Sequence, residues 1–161
     1  SDQTMLAAAD VSVSDSRLRH AGAHGIGVVA EFGGKVLSRG AAKDASMRLG
    51  AILTAENARS SDAVDASEAA VRALGKLLVH RAPAVDSAAL LPVWLSWLPL
   101  KESADEDARA PIADLCTMLE ADAPRAIGAD GSNLRQVTAT TTRRAPCPHG
   151  VPKCTDPLIT S

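Results

Sequence analysis

The chain has 161 residues, a length that suits one domain or a few units of a repeat array. Hydrophobic residues make up 46% of it, yet it contains one Phe, two Trp and no Tyr, so its alanine-rich composition favours closely packed helices over a β-sandwich. The net charge is −2, and the 17 basic and 19 acidic residues are interspersed along the chain, a pattern that does not resemble the basic footprint of a nucleic-acid-binding protein.

The first predicted helix runs from about Arg17 to Phe32. Asp15 and Ser16 can cap its start, and Gly33-Gly34 can end it. Small and apolar residues recur at helical spacing and predict its inward face: Leu18, Ala21, Gly22, Gly25, Ile26 and Val29. A weaker helix is predicted from about Val36 to Leu53, followed by a loop over residues 54–62.

The second half of the chain predicts four further helices. One runs from about Ala63 to Arg81 and stops before Pro83. Asp86 or Ser87 then caps a short apolar helix that runs through Leu98, with Leu90, Leu91, Trp94, Leu95 and Leu98 as its stripe. A helix from about Ala104 to Ala121 should be kinked or delayed by Pro111, and its predicted inward residues are Ile112, Leu115, Cys116 and Leu119. A last weak helix is predicted near residues 132–138.

These helices repeat one another. Six small or apolar residues between Ala21 and Val29 match six between Ala69 and Leu77 at a spacing of 48, and Val71, Leu74, Leu77 and Leu78 match Ile112, Leu115, Met118 and Leu119 at a spacing of 41. Paired helices that recur at about 40–47 residues are typical of HEAT and armadillo arrays. The sequence therefore predicts an all-α fold, with residues 1–140 forming about three HEAT repeats of a longer right-handed α-solenoid of antiparallel helix pairs.

Particular segments resemble a known family. The stretch Leu18 to Gly34, LRHAGAHGIGVVAEFGG, resembles a B helix of a karyopherin-beta nuclear transport receptor. More specific are LLPVWLSWLPL (Leu90 to Leu100), the acidic segment after it and DLCTMLE (Asp114 to Glu120), with Ile127-Gly128 and Asn133-Leu134 beyond. Together these resemble the C-terminal HEAT repeats of the importin-five (importin beta-three) type, over about Ser16 to Val137.

The resemblance implies a fragment of a nuclear import receptor that moves between cytoplasm and nucleus. For the intact parent protein it implies three partners: protein cargo, the GTPase Ran and Phe-Gly nucleoporins. It implies no cofactor, no metal and no enzymatic activity, and the sequence shows no nucleophile with a suitable base. The alternative is a HEAT scaffold of another class, such as a phosphatase regulatory subunit or a chromosome-organising subunit.

Trp94 and Trp97 are the candidate contact residues. Because they are three residues apart on a short helix, both cannot point squarely into one stripe. Core packing accounts for Trp94, with Trp97 partly covered by the adjacent repeat. The functional interpretation places Trp97 in a shallow apolar groove between A helices, where receptors of the resembled family take up Phe-Gly dipeptides.

Other motifs favour simpler interpretations. Gly25 to Ala30 fits the loose G-x-G-x-x-A dinucleotide pattern and would support a small nucleotide-binding enzyme, but no strand is predicted before it. His20 and His24 lie one turn apart without a convincing third metal ligand. The acidic stretch 102–107 could meet basic cargo, although a solvated turn explains it as well.

Residues 141–161 are rich in Pro, Cys and Thr and are predicted to be disordered. Cys147, His149 and Cys154 in this tail could contribute three zinc ligands.

Three cysteines without a disulfide framework favour a reducing compartment. No apolar run approaches a membrane span and the polar start is unlike a signal peptide, so we expect no membrane insertion.

Overall fold

A computed structural model describes residues 2–10, 12–34, 36–101, 105–128 and 130–142. The described residues form seven α-helices and no strand, which confirms the predicted all-α class. The helices are α1 (Asp2–Ala8), α2 (Ser16–Phe32), α3 (Arg39–Thr54), α4 (Val64–His80), α5 (Ser87–Leu95), α6 (Asp105–Ile127) and α7 (Leu134–Thr142). Across this part of the chain, no helix has the length and apolarity needed to cross a membrane.

Side chains cap the starts of α2, α3 and α5. Asp15 caps α2 by accepting from the backbone N–H groups of Arg17 and Leu18, and Asp86 caps α5 by accepting from that of Ala89. Ser38 caps α3, so this helix begins three residues later than the sequence pattern predicts. The pattern also extends α5 to Leu98, whereas the helix ends at Leu95, and it does not predict α1 at all.

The helices contact one another in a regular order. The even-numbered helices pack in sequence, α2 on α4 and α4 on α6, and the odd-numbered α1, α3 and α5 do the same. Each odd-numbered helix also contacts the even-numbered helix that follows it: α1 with α2, α3 with α4, and α5 with α6. The core lies between these two rows and is filled mainly by Ala and Leu side chains.

Two equivalent hydrogen bonds, each from an arginine side chain to a backbone carbonyl, join successive even-numbered helices. Arg81, just after α4, donates to the carbonyl oxygen of Gly34, just after α2. Arg125 in α6 donates to the carbonyl oxygen of Leu78 in the last turn of α4, at 3.1 Å. Each pair spans 47 residues. Carbonyl groups at a helix C-terminus lack helical partners and carry partial negative charge, so a guanidinium both satisfies and stabilises them.

The buried face of α2 is shifted by about one position from the predicted one, although Gly22 and Ile26 are buried as predicted. Its buried residues are Arg19, Gly22, Ala23, Ile26, Gly27 and Ala30, while Leu18 and Ala21 are exposed. The shift follows from close packing, because a Cβ on Gly27 would lie 3.3 Å from the Cα of Ala73 on α4. Helix α2 therefore turns the side carrying Ala23, Gly27 and Ala30 toward the core.

The expected disturbance at Pro111 was also wrong. The backbone stays helical at this buried proline, and the non-helical residue in α6 is Asp122, with φ −158° and ψ 78°. The carboxylate of Asp122 accepts from the backbone N–H of Arg125 at 3.2 Å, so it caps a short final segment that contains Pro124. The buried face of α6 is likewise shifted: Leu115 is buried as predicted, but Ile112, Cys116 and Leu119 are only half-buried.

Candidate functional site

Trp94 in α5 is fully buried. Its indole Nε1–H donates to the backbone carbonyl oxygen of Val71 on α4, at 2.8 Å. The ring edge lies against Gly75, where an added Cβ would be 3.1 Å from Trp94 Cζ2. Trp94 therefore joins α5 to α4 within the core, in agreement with the core packing that the sequence predicts for it.

Trp97 follows the end of α5 and is only 6% exposed. The guanidinium of Arg59, from the loop between α3 and α4, lies over its ring at 3.9 Å from the centroid. Arg59 is fixed there by a 3.1 Å hydrogen bond from Nη2 to the carbonyl oxygen of Ser96. A cation over an indole face is attractive, so Arg59 acts as a polar cover on Trp97. Any apolar ligand of Trp97 has to displace that cover.

A cleft does lie beside Trp97, between the end of α5 and α7. It has a volume of about 160 Å³ and is lined by Leu95, Ser96, Leu98, Pro99, Gln136, Ala139 and Thr140. Trp97 itself is not among the lining residues. Ligand pockets for small molecules are usually about 300–1,000 Å³, so this cleft suits the side chain of a peptide better than a cofactor.

A line of charged side chains crosses the even-numbered helices on another side of the core. Lys76 Nζ on α4 lies 3.3 Å from Glu31 Oε1 on α2 and 3.1 Å from Asp114 Oδ1 on α6. The side chain of Asp114 is only 6% exposed, and its Oδ2 atom accepts no hydrogen bond. The single ammonium group of Lys76 thus connects the three successive even-numbered helices α2, α4 and α6.

The pKa values of this line follow from burial and from the opposite charges. Burial raises the pKa of Asp114 above its ordinary value, against the lowering effect of the Lys76 ammonium and, more weakly, of His80. Burial also lowers the pKa of Lys76, but the carboxylates of Asp114 and Glu31 outweigh it and the pKa ends above its usual range. Because its pKa is raised, Lys76 is charged at neutral pH.

The glycine motif and the histidine pair sit in α2. Gly25 to Ala30 lies in the middle of this helix, with no strand or tight turn before it, so the geometry of a dinucleotide-binding loop is absent there. His20 Nδ1 lies 3.3 Å from the carbonyl oxygen of Asp65, and His24 is exposed. Among the described residues, no group of three or more His, Cys, Asp or Glu side chains could hold a metal ion.

Two other predictions lie wholly or partly outside the described residues. Cys147, His149 and Cys154 are outside them, as is most of the 141–161 tail. Of the acidic stretch 102–107, the side chains of Glu106 and Asp107 are described, and both are exposed at the start of α6.

Sequence reasoning missed the residues that surround the two tryptophans. Arg59 lies in a segment that reads only as a polar loop, and nothing local links it to Trp97. Lys76 and Asp114 could have been found, because they are charged residues within otherwise small and apolar stretches of α4 and α6. A comparison of the chain with models of known protein families finds no match.

Proposed function

We propose that this chain forms about three consecutive HEAT repeats of a nuclear import receptor of the karyopherin-beta class. In this proposal α1/α2, α3/α4 and α5/α6 are antiparallel A/B pairs of a right-handed solenoid, and α7 begins the next pair. The two rows of helices and the 47-residue spacing of both arginine contacts support the repeat assignment.

One observation carries the link to transport receptors. The segment LLPVWLSWLPL, which resembles the importin-five type most specifically, includes most of α5 and lies in the odd-numbered row beside α3, between α4 and α6. Its Trp94 is anchored on α4, and Leu100 at its end is buried. This is the place an A helix takes in a paired-helix repeat, so the resemblance and the packing support the same assignment.

The proposed activity is binding, without cofactor or catalysis. The intact parent protein takes up cargo in one state and Ran in its GTP form in another, in cytoplasm and nucleus respectively, because each partner stabilises a different shape of the superhelix. This segment contributes a weak site for Phe-Gly nucleoporins at the cleft between α5 and α7, next to Trp97. For the peptide to contact the Trp97 ring as well as the cleft, Arg59 has to leave that ring.

The alternative is a HEAT scaffold of another class, such as a phosphatase regulatory or chromosome-organising subunit. The same repeat packing supports it equally, and only the resemblance of the α5 segment favours a receptor. Binding to Phe-Gly peptides separates the two, because the alternative offers no reason for it.

The test is a direct binding measurement on the purified 161-residue chain. A fluorescent Phe-Gly-repeat peptide and GTP-loaded Ran are titrated separately. We expect weak binding of the peptide and little or no binding of Ran, because a stable GTPase interface needs about 1,200 Å² or more. Arg59→Ala should strengthen peptide binding by uncovering Trp97, and Leu98→Glu in the cleft should abolish it.

Met47→Ala is the matched control, since Met47 is exposed on α3 away from the cleft. Peptide binding that is unchanged by Leu98→Glu would refute the cleft as the site. Tight, GTP-dependent binding of Ran would show that the segment belongs to the early repeats of such a receptor and not to the late ones.

A further inference from the structure

Arg59 lies at the edge of the cleft between α5 and α7. Its Nη2 atom donates to the carbonyl oxygen of Ser96 at 3.1 Å, and Ser96 is one of the residues that line the cleft. The same guanidinium lies over the ring of Trp97, which is buried beneath it. These two contacts hold a positive charge directly beside an apolar cavity.

The protein does not neutralise the charge of Arg59. Among the residues that the structure describes, Arg59 belongs to no ion pair, although Glu56 and Asp62 lie in the same loop. The side chain is exposed, and the bond to Ser96 uses only one of its N–H donors. These donors lie in the plane of the guanidinium, so the others remain available to a ligand while the guanidinium covers Trp97.

The cleft has the size of one aromatic ring or one branched side chain. Its volume is about 160 Å³, and an apolar cavity of about 150 Å³ in a protein core can hold benzene. Leu95, Leu98 and Pro99 give the cleft an apolar wall on the α5 side. On the α7 side the exposed Gln136 adds an amide that can bind the backbone of a peptide.

We propose that this cleft selects peptides in which a carboxylate lies two residues away from a bulky apolar side chain. In an extended peptide, side chains two residues apart point to the same side. One of them can therefore enter the cleft while the carboxylate is bound by Arg59 through paired N–H···O hydrogen bonds. The inference rests on the proposed function, because it takes the cleft to be a peptide site, but it does not require nuclear transport.

The position of Arg59 favours an acidic ligand over a neutral or basic one. A neutral peptide gains contact with the Trp97 ring only by displacing Arg59, which breaks the cation–π contact and the bond to Ser96. An acidic peptide leaves both contacts in place and adds a charge-assisted pair. A basic side chain at the same place is repelled by the guanidinium. Arg59 is therefore the residue that determines the specificity of the cleft.

The experiment titrates the purified 161-residue chain with two fluorescent peptides at low ionic strength. Each peptide has a single Phe-Gly within neutral polar residues, and the two differ only at the positions two residues before and two residues after the Phe. One has Glu at both positions and the other has Gln. We expect the glutamate peptide to bind roughly three- to fivefold more tightly. Added NaCl should reduce this preference, because exposed charges are screened.

Variants of the chain assign the preference to one residue. Arg59→Gln should remove it. Uncovering Trp97 can tighten both peptides, so the ratio of the two dissociation constants is the quantity to compare. Arg59→Glu should reverse the selection, so that a peptide with Lys at the two positions binds more tightly than the glutamate peptide. Arg39→Gln is the matched control, since Arg39 is also exposed and also donates to a backbone carbonyl, that of Pro83 at 2.9 Å.

Three outcomes would overturn the proposal. These are equal binding of the glutamate and glutamine peptides by the wild-type chain, a preference that survives Arg59→Gln, and an equal loss of preference in Arg39→Gln. Equal binding of the two peptides would leave the Phe-Gly site of the proposed function intact and remove only the selection by charge. Failure of both peptides to bind would instead refute the cleft as a peptide site and both proposals with it.

Discussion

The ammonium of Lys76 on α4 lies 3.1 Å from the buried carboxylate of Asp114 on α6. Lys76→Met removes the charge that compensates Asp114, and we expect it to cost roughly 3 kcal/mol of unfolding free energy. Asp114→Asn should cost less, about 1 kcal/mol, because it leaves no buried charge and Lys76 keeps Glu31. Urea denaturation of both variants checks the order, and an equal or reversed order would show that the pair is not held as described.

The cost of Lys76→Met should also depend on pH. Burial raises the pKa of Asp114, so the folded chain binds a proton at this carboxylate more readily than the unfolded chain does. Protonation of Asp114 therefore stabilises the fold as the pH falls through the folded-state pKa. Without the Lys76 ammonium that pKa rises further. The stability gap between wild type and Lys76→Met should therefore narrow as the pH falls below neutral. A gap that stays constant would contradict a buried, titrating Asp114.

Two glycines should respond in opposite ways to alanine. A Cβ on Gly75 would lie 2.8 Å from Asp114 Oδ2 and 3.1 Å from Trp94 Cζ2, so Gly75→Ala should destabilise the fold by roughly 1–3 kcal/mol. Gly40 in α3 has no neighbour within 4 Å of an added Cβ. Gly40→Ala should stabilise the chain by about 0.5 kcal/mol. Thermal melting of the two variants, compared with wild type, tests both signs.

Leu74 and Leu115 are fully buried at equivalent places on α4 and α6. Leu74→Ala and Leu115→Ala should each cost about 2–5 kcal/mol, as expected for a cavity in a packed core. Val36→Ala is the control, because Val36 is 68% exposed. If melting temperature were unaffected in both leucine variants, these residues would not line the core between helices.

Arg59→Ala should expose the ring of Trp97 without disturbing Trp94. The lost cation–π contact is worth only about 0.5–1 kcal/mol, so the fold should persist. Acrylamide should then quench one fluorescence component strongly while the component from the buried Trp94 stays protected. Arg39→Ala, which removes a hydrogen bond to the Pro83 carbonyl, should change neither component.

The helical class and most helix positions could be predicted, because capping residues such as Asp15 and Asp86 have strong local preferences. The inward face of α2 could not. Both of its sides carry small or apolar residues at helical spacing, and only contact with α4 decides which one is buried. The buried face includes Arg19, whose guanidinium donates to the Val13 carbonyl, and hydropathy alone would predict an exposed arginine there.

The surroundings of the candidate site were harder still to predict. Trp94 could be placed in the core from its position on the stripe of α5. The Trp97 ring is covered by Arg59, which lies 38 residues earlier in a polar loop. Neither the sequence around Arg59 nor the sequence around Trp97 predicts this cation–π contact. The helix end predicted at Ala121 coincides with the break at Asp122, whereas Pro111, the expected source of a kink, fits within the helix.

The contacts that join successive even-numbered helices all connect residues at similar distances along the chain, from 38 residues for Lys76–Asp114 to 47 for Arg125–Leu78. The entropy lost in closing a loop depends on its length, so each such contact costs about the same wherever it forms. An array that grew by copying one helix pair would therefore not create any longer loop to close. Its folding could advance from one pair to the next at an undiminished pace, however many pairs were added.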